Sequence, residues 1–517
     1  MRLFACLSIL LVLSSAKANN ISVTNVTLTG QNTSAGANNA ANFTYIEFDL
    51  SWDNSWRTSS SPNNWDAAWV FVKYRTVGTS VWNHVLLANG GHTSSGTGTS
   101  YSVHLGLVDE SQAYNNSTNP AVGAFIYRSA NGTGTFSAQD IRLKWNYFRD
   151  NGVGDNDIVD IDVYAIEMVN VPQGSFWLGN NGSSSANAFY ASGVSGSGYQ
   201  MTGEHDQTYF GPANGGATAG SLIITGGVAG SGSLGVNFPK GFAAFYCMKY
   251  ECSQQLYADF LNSLTSAQQA VRVPSNLALN RNNFTVSSGI YSTSTPFVPV
   301  HFVADEDLMA ILDWAGLRPM SEFEFEKACR GISTPVTNEY AWGSTNLTAH
   351  LASLTNAGTS TEVSATVGAN AAVSGGDSRN ATNGPIRCGA FGTSSSTRES
   401  SGASFYGIME LSGNSLEQTV MATQTFNGKI HGNGSLHSSG KANVSGWLNF
   451  SSGTNNAGSS TFLLRGGCWD GYYFAGASLS MVCSRQLLGT GYYSRSFAGF
   501  GIRGVRTQST QTSVETK

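Results

Sequence analysis

Tyr472, Tyr473 and Phe474 follow closely on Trp469, and Tyr492, Tyr493 and Arg495 close the same stretch among Ser, Leu and Gly. With Asp470 these residues have the composition of a binding loop. Tyrosine offers a large contact area with few rotors to freeze, and Ser and Gly adapt around it. The alternative use of such tyrosines is packing against neighbouring loops. The stretch is framed by Arg465-Gly466-Gly467-Cys468-Trp469 before it and Gly499-Phe500-Gly501-Ile502-Arg503-Gly504-Val505-Arg506 after it. Other chemistry is thin. His205 lies between acids in Gly203-Glu204-His205-Asp206, but no nucleophile elbow or His-Glu-x-x-His accompanies it, and a lone loop histidine is ordinarily polar surface. The glycine run Gly226-Gly227-Val228-Ala229-Gly230 lacks the lysine of a phosphate loop. Cys247, Cys252, Cys329, Cys388, Cys468 and Cys483 remain once the N-terminal segment is set aside, and spacing does not choose among their pairings.

Those residues must be held by the rest of the 517-residue chain. Charged residues are 11 %, against about a quarter in an average protein, and Gly, Ser, Thr and Asn replace them. That mix suits short strands joined by tight turns. Hydrophobics at 41 % exclude a disordered composition. A net charge of −5 carries no basic footprint, so nucleic acid is not an expected partner. Residues 1–18 read as a secretory signal: Arg2, an apolar run from Leu3 to Leu13, then Ala16-Lys17-Ala18. The protein is therefore expected to be secreted or at the cell surface, with no membrane span. Cys6 falls too early for a lipoprotein cleavage site.

Period-2 runs at 21–28, 45–50, 68–74, 101–105 and 158–164 predict an all-β sandwich over 19–165. Trp52, Trp56, Trp65 and Trp82 within it have the chemistry to stack on a carbohydrate, although such tryptophans ordinarily pack inside. The strand ending at Tyr164 runs almost directly into Glu167-Met168-Val169, which predicts rigid coupling between the sandwich and the next domain. Residues 180–240 and 345–400 read as loops. Helical spacing of Leu256, Phe260, Leu261 and Leu264 predicts a helix over 253–264 with Ser253 as N-cap. A second is predicted over 305–315, ended by Gly316. A third opens at the capping box Ser321-Glu322-Phe323-Glu324.

Six segments in order resemble the formylglycine-generating enzyme (sulfatase-modifying factor) family over 166–507. They are Glu167 to Gly179, Phe245 to Glu251, Asp313 to Glu326, Tyr340-Ala341-Trp342-Gly343, Gly407 to Glu417, and the C-terminal frame. The resemblance implies an α+β protein: the β-sandwich, then a loop-rich C-type-lectin-like domain of the formylglycine-generating-enzyme type, with 508–517 as a disordered tail. By the resemblance, the Tyr-rich segment lines the exposed face where the enzymes carry their active site. Members that oxidise a substrate cysteine hold copper on cysteines two and seven residues past the frame tryptophan. Here those positions are Gly471 and Gly476, and no cysteine occurs from Trp469 to Val482. A glycine offers no thiolate to a metal, so copper is not expected.

The resemblance further implies a structural calcium held by Glu410, Gly413, Ser415 and Glu417, an all-oxygen set with two carboxylates that suits a hard cation. It also offers Cys329 and Cys483 as disulfide candidates. The function expected is a non-catalytic, exported binder of a protein or carbohydrate ligand, using Asp470, Tyr472, Tyr473, Phe474, Tyr492, Tyr493 and Arg495. The segment's composition is compatible with a target of diversity-generating retroelements. The competing readings are a copper-dependent oxidase that modifies sulfatases and a structural subunit of a surface or motility assembly.

Overall fold

In this computed structural model the described residues are 20–182, 188–193, 197–204, 209–211, 220–224, 232–374, 380–458, 461–471, 477–485 and 495–517. The strands that position the site are, in order, β1 (Ser22–Asn32), β2 (Phe43–Arg57), β3 (Asp66–Thr76), β4 (Thr93–Ser94), β5 (Tyr101–Leu107), β6 (Ala121–Arg128), β7 (Gly132–Trp145), β8 (Val159–Val171), β9 (Phe245–Met248), β10 (Arg318–Pro319), β11 (Glu417–Val420), β12 (Phe462–Arg465), β13 (Gly504–Thr507) and β14 (Val514–Thr516). The helices of the C-terminal region are α1 (Gln254–Asn262), α2 (Ser266–Arg272), α3 (Asp305–Trp314) and α4 (Glu322–Arg330), and one short helix, Tyr147–Asn151, lies in the N-terminal region.

The N-terminal region is a sandwich. One sheet runs β1-β2-β7-β4, and the facing sheet contains β3, β6 and β5. Between them lie Ile46, Phe48, Leu50 and Trp52 from β2, with Ala68, Val70 and Val72 from β3. Trp52 stacks on Phe136 at 4.0 Å. The alternate residues of β3, Ala67, Trp69 and Phe71, point the other way into a second core. Successive side chains on a strand face opposite sides, so a strand apolar at both parities must be covered on both faces. The cover on the second face is the C-terminal region: Phe71 meets Trp314 edge-on at 4.9 Å, and Phe125 stacks on Tyr246 at 3.7 Å.

The two regions also share one antiparallel sheet, ordered β10-β13-β9-β8-β3-β6-β5-β14. Strand β8 crosses the expected boundary at 165/166 without a break. Its residues pair with β3 from Val159 to Val169 and with β9 from Met168 to Val171. The last residues, expected to be a disordered tail, instead form β14 on the edge of β5, where the Lys517 and Tyr101 backbones exchange two hydrogen bonds. An unpaired strand edge favours such an addition.

The helices follow their caps. Ser253 accepts from the Leu256 N–H, and Ser321 and Glu324 form the reciprocal capping box. Gly316 ends the α3 turn at φ +69. Helix α2 is additional to the three expected, although its own capping box, Thr265 with Gln268, stands in the sequence. The stretch 180–240, read as loops, contributes short strands whose Phe189, Met201, Leu222 and Ile224 are buried in the second core. Among the described residues no helix is long and apolar enough to cross a membrane.

Candidate functional site

The C-terminal frame is anchored by buried charge. On α4, Glu322 and Glu326 stand one turn apart on one face. Arg465, ending β12, reaches both, at 3.3 Å and 2.5 Å, and Arg485 donates to both oxygens of Glu322 at 2.6 Å and 2.9 Å. Arg330 pairs with Glu326 and Glu339. After Arg465 the chain makes two left-handed residues, Gly466 (φ +82) and Gly467 (φ +68). A Cβ at Gly466 would run into the Glu417 carboxylate, and one at Gly467 into Ser480. Both positions therefore require glycine on two counts. Cys468 and Trp469 then turn inward against Phe497 and Phe500.

Beside this frame lies a cluster of acids on the loop that enters β11. Glu410 and Asn414 adopt left-handed φ of +56 and +66, and Gly413 one of +103. For a residue such as Glu this costs on the order of 1 kcal/mol or more and is held only where the surroundings demand it. Glu251, at the end of the β9 motif, accepts from the Ser415 N–H at 2.7 Å and the Asn414 amide at 2.6 Å. Glu410 accepts from the Gly389 N–H at 2.6 Å, and Glu417 from Arg503 at 3.2 Å. All three glutamates are buried. Burial raises the carboxyl pKa of Glu410 to about 7 and that of Glu417 to about 8, against the pull of Arg503. Glu251 moves in the same direction, again chiefly by burial. Arg503 acts on all three acids, and Arg387 also acts on Glu410.

The donor atoms in this cluster fit a cation. Glu410 Oε2, Glu417 Oε2 and the Ser415 hydroxyl are buried with no hydrogen-bond partner, a costly state for an isolated polar atom. Among the described residues no group of three or more His, Cys, Asp or Glu side chains could hold a metal. The resemblance would add the main-chain carbonyls of Gly413 and Ser415 to these atoms, an all-oxygen set of the kind that suits calcium rather than zinc.

Thiol chemistry fares differently. All six cysteines are buried. Burial pushes the thiol pKa of Cys247 up to about 12 and raises those of Cys252, Cys329, Cys388 and Cys468. A buried, protonated thiol is inert. The expected Cys329–Cys483 disulfide is corrected: Cys329 is a free thiol. Val482, in a turn, packs in the apolar cluster that holds Cys329, and its neighbour Cys483 does not belong to that cluster.

A model of the sulfatase-modifying factor enzyme 1-like domain matches residues 207–507, more than half of the chain. The chain belongs to that family. Among curated proteins none matches. The match begins within the stretch read as loops, after β8 has already joined the two regions.

Of the residues expected to bind a ligand, Tyr472, Tyr473, Phe474, Tyr492 and Tyr493 lie outside the described residues, as do Gly476 and His205. Asp470 is 1 % exposed, so it offers no surface contact. Arg495 is partly exposed but pairs with Asp307, its Nε donating at 2.6 Å. The four tryptophans of the sandwich form no common surface. Trp52 is core, Trp56 lies 4.9 Å from the Lys249 ammonium, Trp65 stacks on Tyr127, and Trp82 sits under Arg75. Sequence reading missed Glu251 as a member of the acid cluster. It lies far along the chain from Glu410, and only folding brings it to the Asn414-Ser415 backbone.

Proposed function

We propose that the chain is an exported, catalytically empty member of this family that binds a protein or carbohydrate ligand through its C-terminal Tyr-rich segment. The observation that carries the reading is the replacement of the family's copper-holding cysteines by Gly471 and Gly476, with no cysteine between Trp469 and Val482. The high thiol pKa values around the frame support it, because no nearby sulfur is poised to take over. An oxidative step at this frame would lack its metal ligands. The retained frame, anchored by Arg465 and Arg485, then serves as a rigid base for adaptable loops, the usual arrangement of a recognition surface.

Calcium belongs to the same proposal. Glu410 and Glu417, with carbonyls of Gly413 and Ser415, would hold the ion, and its charge would stabilise both carboxylates in their ionised form. Its role is structural: it fixes the loop against which Gly466 packs.

Metal content and activity test the reading together. Purified protein is expected to carry calcium, to hold no cysteine-ligated copper, and to leave a cysteine-containing peptide unoxidised. Aldehyde formation on that peptide would overturn it. Paired variants Tyr472→Ala/Tyr473→Ala and Tyr492→Ala/Tyr493→Ala are expected to abolish capture of glycan-array or cell-surface ligands while leaving the melting temperature unchanged. Undiminished capture by both would remove the segment from the binding surface.

A further inference from the structure

A cavity of about 360 Å³ lies at the seam of the molecule, between Glu110 and Ser111 of the sandwich region, Asn237 and Pro239, and the segment Thr507–Gln511 that leads to β14. Its size falls within the roughly 300–1,000 Å³ range of small-molecule sites, and a boundary between regions is where such sites concentrate. Nothing in the family frame or the Tyr-rich segment accounts for it.

Of the charged groups in its wall, all but Lys429 are already committed. Arg318 makes a two-pronged pair with Glu324 at 2.9 Å and 2.6 Å and also donates to Thr507. Glu204 accepts from the Lys240 and Ala243 N–H groups, one on each oxygen, both at 2.8 Å. Glu110 pairs with Arg506 through Oε1 at 2.9 Å. Apart from Lys429, the uncommitted groups are of another kind. The side chains of Gln173, Asn237 and Lys429 bond to none of the described residues, and the Gln511 amide reaches only its neighbour Thr510. Glu110 Oε2 is buried and makes no well-aligned hydrogen bond, with the Ser509 hydroxyl beside the carboxylate. Val236, Pro239, Ala243 and Ala244 supply an apolar side.

We propose that this seam cavity is a second ligand site, taking a neutral sugar of one or two rings. Carboxamides both donate and accept, as sugar hydroxyls do. Uncommitted amides facing an apolar wall therefore match a ring that is polar at its rim and apolar on its face. Glu110 Oε2 accepts from one hydroxyl at the inner end. A zwitterion such as an amino acid would need two uncommitted opposite charges, and here Glu110 is neutralised by Arg506, leaving only Lys429. No residue of the Tyr-rich segment enters this assignment, so either site can fail without the other.

The test uses the full chain and ligand-observed NMR against a fixed panel: glucose, galactose, mannose, N-acetylglucosamine, maltose and cellobiose, with glycine and glutamate as a second arm, all at millimolar concentration. At least one sugar is expected to bind, with affinity lowered about tenfold or more in the double variant Asn237→Ala/Gln511→Ala. Both side chains are exposed, and an unchanged melting temperature verifies the fold of the variant. The double variant Tyr472→Ala/Tyr493→Ala is expected to bind that sugar normally. Absence of binding by every sugar, binding of the amino acids instead, or sugar binding that survives the cavity variant would each overturn the proposal.

Discussion

The sandwich region and the family region reach stability by different means. In the sandwich, alternate residues of β2, β3 and β7 meet across an apolar interior, and the strand pattern alone specifies who is inside. In the family region short strands and four helices leave much of the chain irregular, and the interior holds Glu322, Glu326, Arg330, Arg465, Arg485 and Arg503 at almost no exposure. Such charges are retained only when each is paired and hydrogen-bonded. The contrast shows two ways of specifying a fold: periodic burial where backbone pairing is continuous, and discrete polar anchors where it is not. The seam uses both. Asp66, at the start of β3, accepts from Trp52 Nε1 at 2.8 Å, Ser55 at 2.9 Å and the Trp56 N–H at 2.9 Å, and it faces Lys249 of the family region at 3.4 Å. Lys249 in turn pairs with Glu167 at 3.0 Å.

The largest effect is therefore expected at the seam. Asp66→Ala strands three donors and weakens a buried pair, and should cost about 3–5 kcal/mol in urea unfolding. Because β8 belongs to both regions, that loss should lower a single transition rather than one of two. Two separate calorimetric transitions in the parent protein would break the claim that the regions unfold together.

Next is the ion. Chelation should lower stability by about 2.7 kcal/mol relative to calcium at a hundredfold excess over its Kd, and Glu417→Gln should abolish the difference. The pH dependence has a definite sign. Glu410 and Glu417 titrate near 7 and 8 in the fold, above the ordinary value of 4.5. Without calcium the native state holds more protons than the unfolded chain between those limits, so its stability should fall as pH rises from about 4.5 to 8. Calcium affinity should rise across the same window, because binding displaces the protons. Equilibrium unfolding with chelator and with calcium at several pH values checks both slopes.

The smallest effect sharpens the contrast. Ser321→Ala removes one cap from α4, whose main anchors are ion pairs, and should cost about 1 kcal/mol by urea unfolding. A loss several times larger would mean that the cap, rather than the Glu322–Arg465–Arg485 network, positions the frame.

Much of this architecture is legible in the chain itself. Alternation announces β1, β2, β3, β5 and β8, and the caps Ser253 and Ser321 announce α1 and α4, because both signals are local. The family follows from motifs whose residues prove to be anchors: Arg465, Gly466, Gly467, Glu417 and Arg503. Strands β6 and β7 are not announced in this way, and neither is the docking of β14 on β5, since an edge strand's partner lies far away in sequence.

Residue types and their spacing by themselves determined the sandwich, the capped helices, the family frame and the absence of a cysteine pair after Trp469. Only the tertiary structure decided that β8 fuses the two regions, that Glu251 joins Glu410 and Glu417, that Asp470 is buried, and that Cys329 faces Val482. The physical reason is range. Periodicity and capping act over a few residues, whereas burial of a charge or a thiol depends on which distant segments close around it.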